Sequence, residues 1–182
     1  EAVRAAFRAS LGLKPDDLVG LFVGHNYWLK GLKPLIEGLA ERKRRDPNAR
    51  PIHLLACGGG KPKPFQAMIE RLGIADSVRL LGFQPDIRPP FWGSDFFVSP
   101  TYYDPCSLVV FEALACGLPV ITSKCNGAGE VMTEGREGFV IEHPNATDQL
   151  VAALNGMVDD RARGAMADAA RSLGREQSFE RH

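Results

Sequence analysis

The sequence predicts an α/β domain: a doubly wound, Rossmann-like fold around a parallel sheet of about six strands. Three observations carry that expectation. Short β-rich runs alternate with helical patterns along the chain. The strand candidates are apolar on both faces, as strands covered by helices above and below must be. No segment repeats at a period of roughly 20–50 residues, so a solenoid or propeller is excluded.

The elements follow in order. Glu1-Ala2-Val3-Arg4 opens an amphipathic helical pattern. Residues 18–24 (Leu-Val-Gly-Leu-Phe-Val-Gly) read as a first buried strand, and residues 33–45 have helical periodicity that stops before Pro47. A second strand at 52–57 runs into Gly58-Gly59-Gly60, and a helix follows at 64–72. Residues 78–81 form a third strand ending at Gly82, followed by a Pro-rich turn and a short helix through Trp92. A fourth strand spans 95–99, a helix at 108–116 is closed by Gly117, and a fifth strand spans 119–122. A short sixth strand at 138–141 precedes amphipathic helices at 147–158 and 161–173, and only the tail beyond Leu173 reads as unanchored.

With 182 residues the chain has room for one domain. Lys plus Arg and Asp plus Glu are both 22, so net charge is zero, which argues against non-specific nucleic-acid binding. The longest run without a charged residue, 18–29, is too short to span a membrane. No signal peptide is visible at the start, and a first residue other than Met suggests a piece of a longer chain. Cys57, Cys106, Cys116 and Cys125 lie in or beside apolar runs without a Cys-x-x-Cys pair. They read as reduced thiols acting as small hydrophobes, which points to a cytoplasmic protein without a zinc site. No Asp-x-Asp pair is present to hold a metal on phosphates, so neither a metal nor a cofactor is expected.

In a doubly wound sheet, ligands bind outside the carboxyl ends of the strands where strand order reverses. For the order 3-2-1-4-5-6 that crevice lies between strands one and four, so loops 24–31 and 99–107 should form it. Loops 58–61, 82–84 and 124–130 should surround it. Gly58-Gly59-Gly60-Lys61 lacks the Walker pattern because Pro62 follows the lysine. It is either a flexible turn or a place where bare backbone lets a ligand approach. Lys30, just ahead of a helix start, is either a solvated lysine or a phosphate anchor at the mouth of the crevice. Glu112 is the sharpest anomaly. Its helical neighbours Leu108, Val109, Ala115 and Cys116 are apolar, so its carboxylate is expected to be buried. It would then make a core salt bridge, or accept hydrogen bonds from a diol such as ribose. Asp104, ahead of Pro105, suits a helix cap. Ser107 suits it equally, leaving Asp104 to face a ligand and the amides of residues 106–109 as an anion site.

The stretch Ser99-Pro100-Thr101-Tyr102-Tyr103-Asp104-Pro105-Cys106-Ser107-Leu108-Val109-Val110-Phe111-Glu112-Ala113-Leu114-Ala115-Cys116-Gly117-Leu118-Pro119-Val120-Ile121 resembles the signature of family 4 glycosyltransferases. These are retaining enzymes with two Rossmann-like domains, the GT-B type. The pattern there is an acidic residue, seven residues, Glu-Ala-x-Ala-x-Gly-x-Pro-Val, and then a Gly-rich loop ending in Glu, here Asn126-Gly127-Ala128-Gly129-Glu130. The resemblance extends to Phe22-Val23-Gly24 with Lys30-Gly31, to Cys57 through Gly60, to Val78 through Phe83, and to Glu134 through Val140.

It implies that the chain is the C-terminal, donor-binding half, which holds a nucleotide diphosphate sugar such as UDP-glucose or GDP-mannose. The acceptor, and any peripheral membrane contact, would belong to an N-terminal half outside this chain, and this half alone would be inactive. Carried over by position, Glu112 would bind the ribose and Asp104 would approach the donor sugar. Lys30 and the amides of Cys106, Ser107 and Leu108 would hold the diphosphate. Gly82, Phe83 and Gln84 would lie by the base, with Gly58 nearby. Three positions depart from the family pattern. Asp104 stands for the usual Glu, His25 for an Arg that joins the lysine on the diphosphate, and Ser107 for a common Gly. The competing readings are another sugar enzyme on this fold, an epimerase or phosphorylase, against which the Glu-Ala-x-Ala-x-Gly-x-Pro-Val run argues, and a non-catalytic α/β binding module.

Overall fold

The computed structural model describes residues 1–177. Its sheet has six strands, β1 (Leu18–Val23), β2 (Ile52–Cys57), β3 (Val78–Gly82), β4 (Phe96–Ser99), β5 (Val120–Ser123) and β6 (Gly138–Ile141), in the order β3-β2-β1-β4-β5-β6. Every neighbouring pair is parallel. The helices are α1 (Ala2–Ser10), α2 (Leu32–Arg45), α3 (Lys63–Arg71), α4 (Arg88–Gly93), α5 (Leu108–Ala115), α6 (Thr147–Gly156) and α7 (Asp160–Glu176), with a 3-10 turn at Gly127–Val131.

Period-two alternation divides the strand residues between two cores. Leu18 and Phe22 of β1, Leu54 and Ala56 of β2, and Phe96 and Val98 of β4 pack under α2, α3 and α6. Val19 and Leu21, Leu55 and Cys57, and Phe97 point the other way, toward Phe91 of α4 and Val110 and Leu114 of α5. Helix α7 serves both cores, through Met166 and Ala170. Gly20 leaves the space that the Phe96 ring fills, since a β-carbon there would lie 2.7 Å from its Cζ. The doubly wound expectation therefore holds, and the strand order is the one for which the crevice lies between β1 and β4.

Three sequence expectations need correction. Asp95 is not part of β4. Its carboxylate instead accepts from the Val19 amide at 2.7 Å and pairs with Arg4 and Arg8 at 2.5 and 2.8 Å, tying α1 to the amino ends of the strands. The tail is also more firmly anchored than its composition suggests. Helix α7 continues to Glu176, and Gly174 lies so close to α5 that a β-carbon would come within 2.4 Å of the Ala115 nitrogen. The remainder of the tail, residues 178–182, lies outside the described residues. Finally, only Cys57 of the four cysteines behaves as a buried hydrophobe. Cys106 and Cys116 are exposed and Cys125 is half-buried. Burial pushes the Cys57 thiol up to about 12.

Candidate functional site

The loops leaving β1 and β4 meet at the carboxyl edge of the sheet and are bonded to each other. Leu29 offers its carbonyl both to the Tyr102 amide at 2.9 Å and to the Thr101 hydroxyl at 3.0 Å. Gly31, at φ +82°, caps α2 where any β-carbon would strike the Pro100 carbonyl at 1.9 Å. Only glycine accepts both that backbone and that approach. The turn before it is closed by Asn26, whose side chain accepts from the Leu29 amide. This locked turn directs Lys30 across the crevice. Gly24 makes room for its stem, since a β-carbon at Gly24 would lie 2.9 Å from Lys30 Cγ.

On the far wall, Asp104 is held by its backbone between Cys125 and Gly127, with both hydrogen bonds at 3.0 Å. It does not cap α5. Ser107 occupies the N-cap position without a side-chain cap, and the Asp104 carboxylate instead meets Lys30 Nζ at 2.5 Å. Among the described residues, the amides of Cys106, Ser107, Leu108 and Val109 find no acceptor. Four free N–H groups at the start of an eight-residue helix, beside a lysine, form a concave anion cradle.

Glu112 corrects the expectation of burial. Its side chain is exposed and, among the described residues, forms neither a hydrogen bond nor an ion pair, so the core salt bridge is not made. Helix α5 is apolar nearly all round, yet only Val110, Ala113 and Leu114 are fully buried in the core, with Val109 and Phe111 packed partly against it. The stripe of Leu108, Glu112, Ala115 and Cys116 faces outward, with Leu108 57% exposed. The polar face absent from the sequence pattern is an open apolar one that carries a single carboxylate. Partial desolvation against that surface raises the Glu112 pKa above its usual 4.5. The Cys116 thiol, one turn on, is raised by desolvation and then by the Glu112 charge.

These groups line one cavity of about 450 Å³. His25, Lys30, Gly58, Phe83, Gln84, Asp104, Cys106, Ser107, Leu108 and Glu112, all singled out from the sequence, lie on its wall. Gly82 does not. It ends β3 at φ +69°, and its carbonyl accepts from the Gly58 amide at 2.8 Å. Gly58 is required by backbone packing, because at φ +140° a β-carbon would lie 1.9 Å from the Gly24 carbonyl oxygen. The buried Tyr27 donates its hydroxyl to the Gly58 carbonyl at 3.1 Å. Of the glycine run only Gly58 reaches the cavity; Gly60 makes space for the Tyr27 ring. Sequence reasoning gave no role to Ile87, nor to the side chain of Val109, and both add to the apolar wall. Nothing distinguishes them from core residues in a single sequence.

A larger concavity of about 840 Å³ lies against β6 and α6, two strands along the sheet from β4. It contains neither the α5 helix start nor the Lys30–Asp104 pair, so the smaller cavity is the better candidate site. Glu130, which ends the Gly-rich loop, lines the larger one. Among the described residues, no three His, Cys, Asp or Glu side chains converge to hold a metal ion. No described helix is long and apolar enough to cross a membrane.

The family described as glycosyl transferases group 1 matches residues 3–175. D-inositol 3-phosphate glycosyltransferase 2 of Catenulispora acidiphila is 33% identical over 165 residues, 86% of this chain and 38% of that protein. Lipopolysaccharide glucosyltransferase WaaG of Escherichia coli K12 is 29% identical over 154 residues, 83% of this chain and 40% of that protein. Among solved structures, WaaG superposes with a TM-score of 0.85 at 28% identity, covering 97% of this chain and 48% of that one. Anabaena Alr3699/HepE, solved with UDP and glucose, shares the fold at a TM-score of 0.84 and 24% identity, covering 97% of this chain and 48% of that one. The chain thus spans about two fifths of the length of these curated relatives.

Proposed function

The chain belongs to the glycosyl transferases group 1 family, and from that premise we propose that it is the donor-binding half of a retaining glycosyltransferase. It takes a nucleotide diphosphate sugar, and the acceptor is held by an N-terminal domain of a longer protein. The observation that carries this reading is the meeting, in one cavity, of the free amides that start α5, Lys30, Asp104 and Glu112.

The diphosphate lies on the amides of residues 106–108 with Lys30 as counter-charge. Helix dipole, fixed N–H groups and ammonium all meet the negative charge that grows as the sugar departs, and no metal is needed for that step. Glu112 stands four residues beyond Leu108, about 6 Å along the helix axis. That separation suits a ribose attached to the diphosphate, whose two hydroxyls donate to the carboxylate. Phe83, 68% exposed, and Gln84 lie at the mouth where the base rests. Asp104 faces the sugar. His25, exposed and without a hydrogen bond of its own among the described residues, adds little to phosphate binding. UDP in the HepE complex and the glucosyltransferase name of WaaG support a UDP-glucose type of donor.

Isothermal titration of the chain with UDP, GDP and the matching nucleosides tests this. Either diphosphate should bind more tightly than its nucleoside, and Lys30→Ala should remove most of that difference. Absence of binding by both diphosphates would overturn the reading.

A further inference from the structure

The Lys30–Asp104 pair is only 24% and 11% exposed at its two side chains. It is therefore screened less than an ion pair on the open surface. It also stands beside the free amides of residues 106–109. An anion entering this cradle meets a cation already engaged by a carboxylate, and it meets that carboxylate too. It gains Lys30 only by drawing it away from Asp104, and Asp104 repels it. An occupant that brings hydroxyl donors to the carboxylate replaces what Lys30 gives up. A nucleoside diphosphate has no donor beyond its terminal phosphate, whereas a sugar carried on that phosphate has several.

We propose that Asp104 competes with the diphosphate for Lys30, so that the ion pair disfavours the spent nucleoside diphosphate and yields to the sugar-loaded donor. This rests on the donor reading above and adds product release to it. Once the sugar has left, Asp104 again draws on Lys30 and the diphosphate is held less tightly.

The test is calorimetric titration of wild type, Asp104→Asn, Lys30→Ala and the double variant with UDP and UDP-glucose, and with GDP and GDP-mannose. Asn is nearly isosteric with Asp and keeps the backbone bonds of residue 104. Should it lower the melting temperature, Asp104→Ser carries the same comparison. Asp104→Asn should bind the nucleoside diphosphate about three- to tenfold more tightly, the size expected of one partly exposed ion pair. The preference for loaded over spent donor should fall by a similar factor, and the gain should shrink when made on Lys30→Ala. Unchanged or weaker binding by Asp104→Asn, while wild type still binds, would overturn the competition and leave the donor reading standing. So would a gain equally large on Lys30→Ala, since simple repulsion would then account for it. Failure of wild type to bind either diphosphate would overturn both.

Discussion

Glu112 shows how a single side chain separates a structural role from a binding one. It has no partner among the described residues and sits on the outward stripe of α5, so the fold does not depend on its charge. Because desolvation raises its folded pKa, ionising it opposes folding slightly. The associated stability is present below the ordinary value of 4.5 and is lost as pH rises through the raised one. Glu112→Gln should therefore leave the melting temperature at pH 7 unchanged or slightly higher. It should weaken nucleoside diphosphate binding about ten- to a hundredfold, the cost of losing a hydrogen bond to a charged group. A second expectation concerns pH. Wild-type affinity should fall on acidification from above pH 4.5, as the raised carboxyl protonates. That part of the fall should be missing in Glu112→Gln. Calorimetry across pH 4–7, with thermal melts of both proteins, checks the pair. A lower melting temperature with intact affinity would return Glu112 to a structural role.

At the scale of elements, α5 and the loops around it decide where the site lies. Leu114 is fully buried and Leu108 is 57% exposed on the same helix. Leu114→Ala should cost about 2–5 kcal/mol, whereas Leu108→Ala should stay within about 0.5 kcal/mol by denaturant unfolding. Equal losses would mean that α5 is buried all round. Gly58→Ala meets both a left-handed φ and the Gly24 carbonyl. It should lose at least about 1–3 kcal/mol, or several degrees of melting temperature in a domain of this size. Alternation of buried runs and helices made the strands legible in the sequence, and the crevice follows once the 3-2-1-4-5-6 order is assumed for the doubly wound sheet. Local context singled out Lys30, Asp104 and Glu112, and the family resemblance gave them their roles. What could not be read depends on the tertiary structure. The exposure of Glu112 follows from which stripe of an all-apolar helix finds no cover. The Lys30–Asp104 pair joins residues 74 positions apart. The resemblance set Gly82 by the base, and the commitment of its carbonyl to the Gly58 amide is a tertiary fact that no single sequence displays.

The whole molecule is a sheet whose working edge lies open. Lys30, the α5 amides and Glu112 face one cavity, together with the exposed Phe83 and Leu108, while the opposite edge is tied down by Arg4, Arg8 and Asp95. In the proposed enzyme the acceptor approaches that open edge from the other half. The 182-residue chain should accordingly bind donor yet transfer sugar at no measurable rate above hydrolysis. Robust transfer to a defined acceptor by this chain alone would contradict the two-domain account. The location of the site is tested most directly by a crystal structure of the chain grown with UDP or GDP. The diphosphate should lie within hydrogen-bonding distance of the Cys106, Ser107 and Leu108 amides and of Lys30 Nζ, with the ribose hydroxyls on Glu112. A nucleotide seated instead in the cavity against β6, with the α5 amides still free, would contradict it.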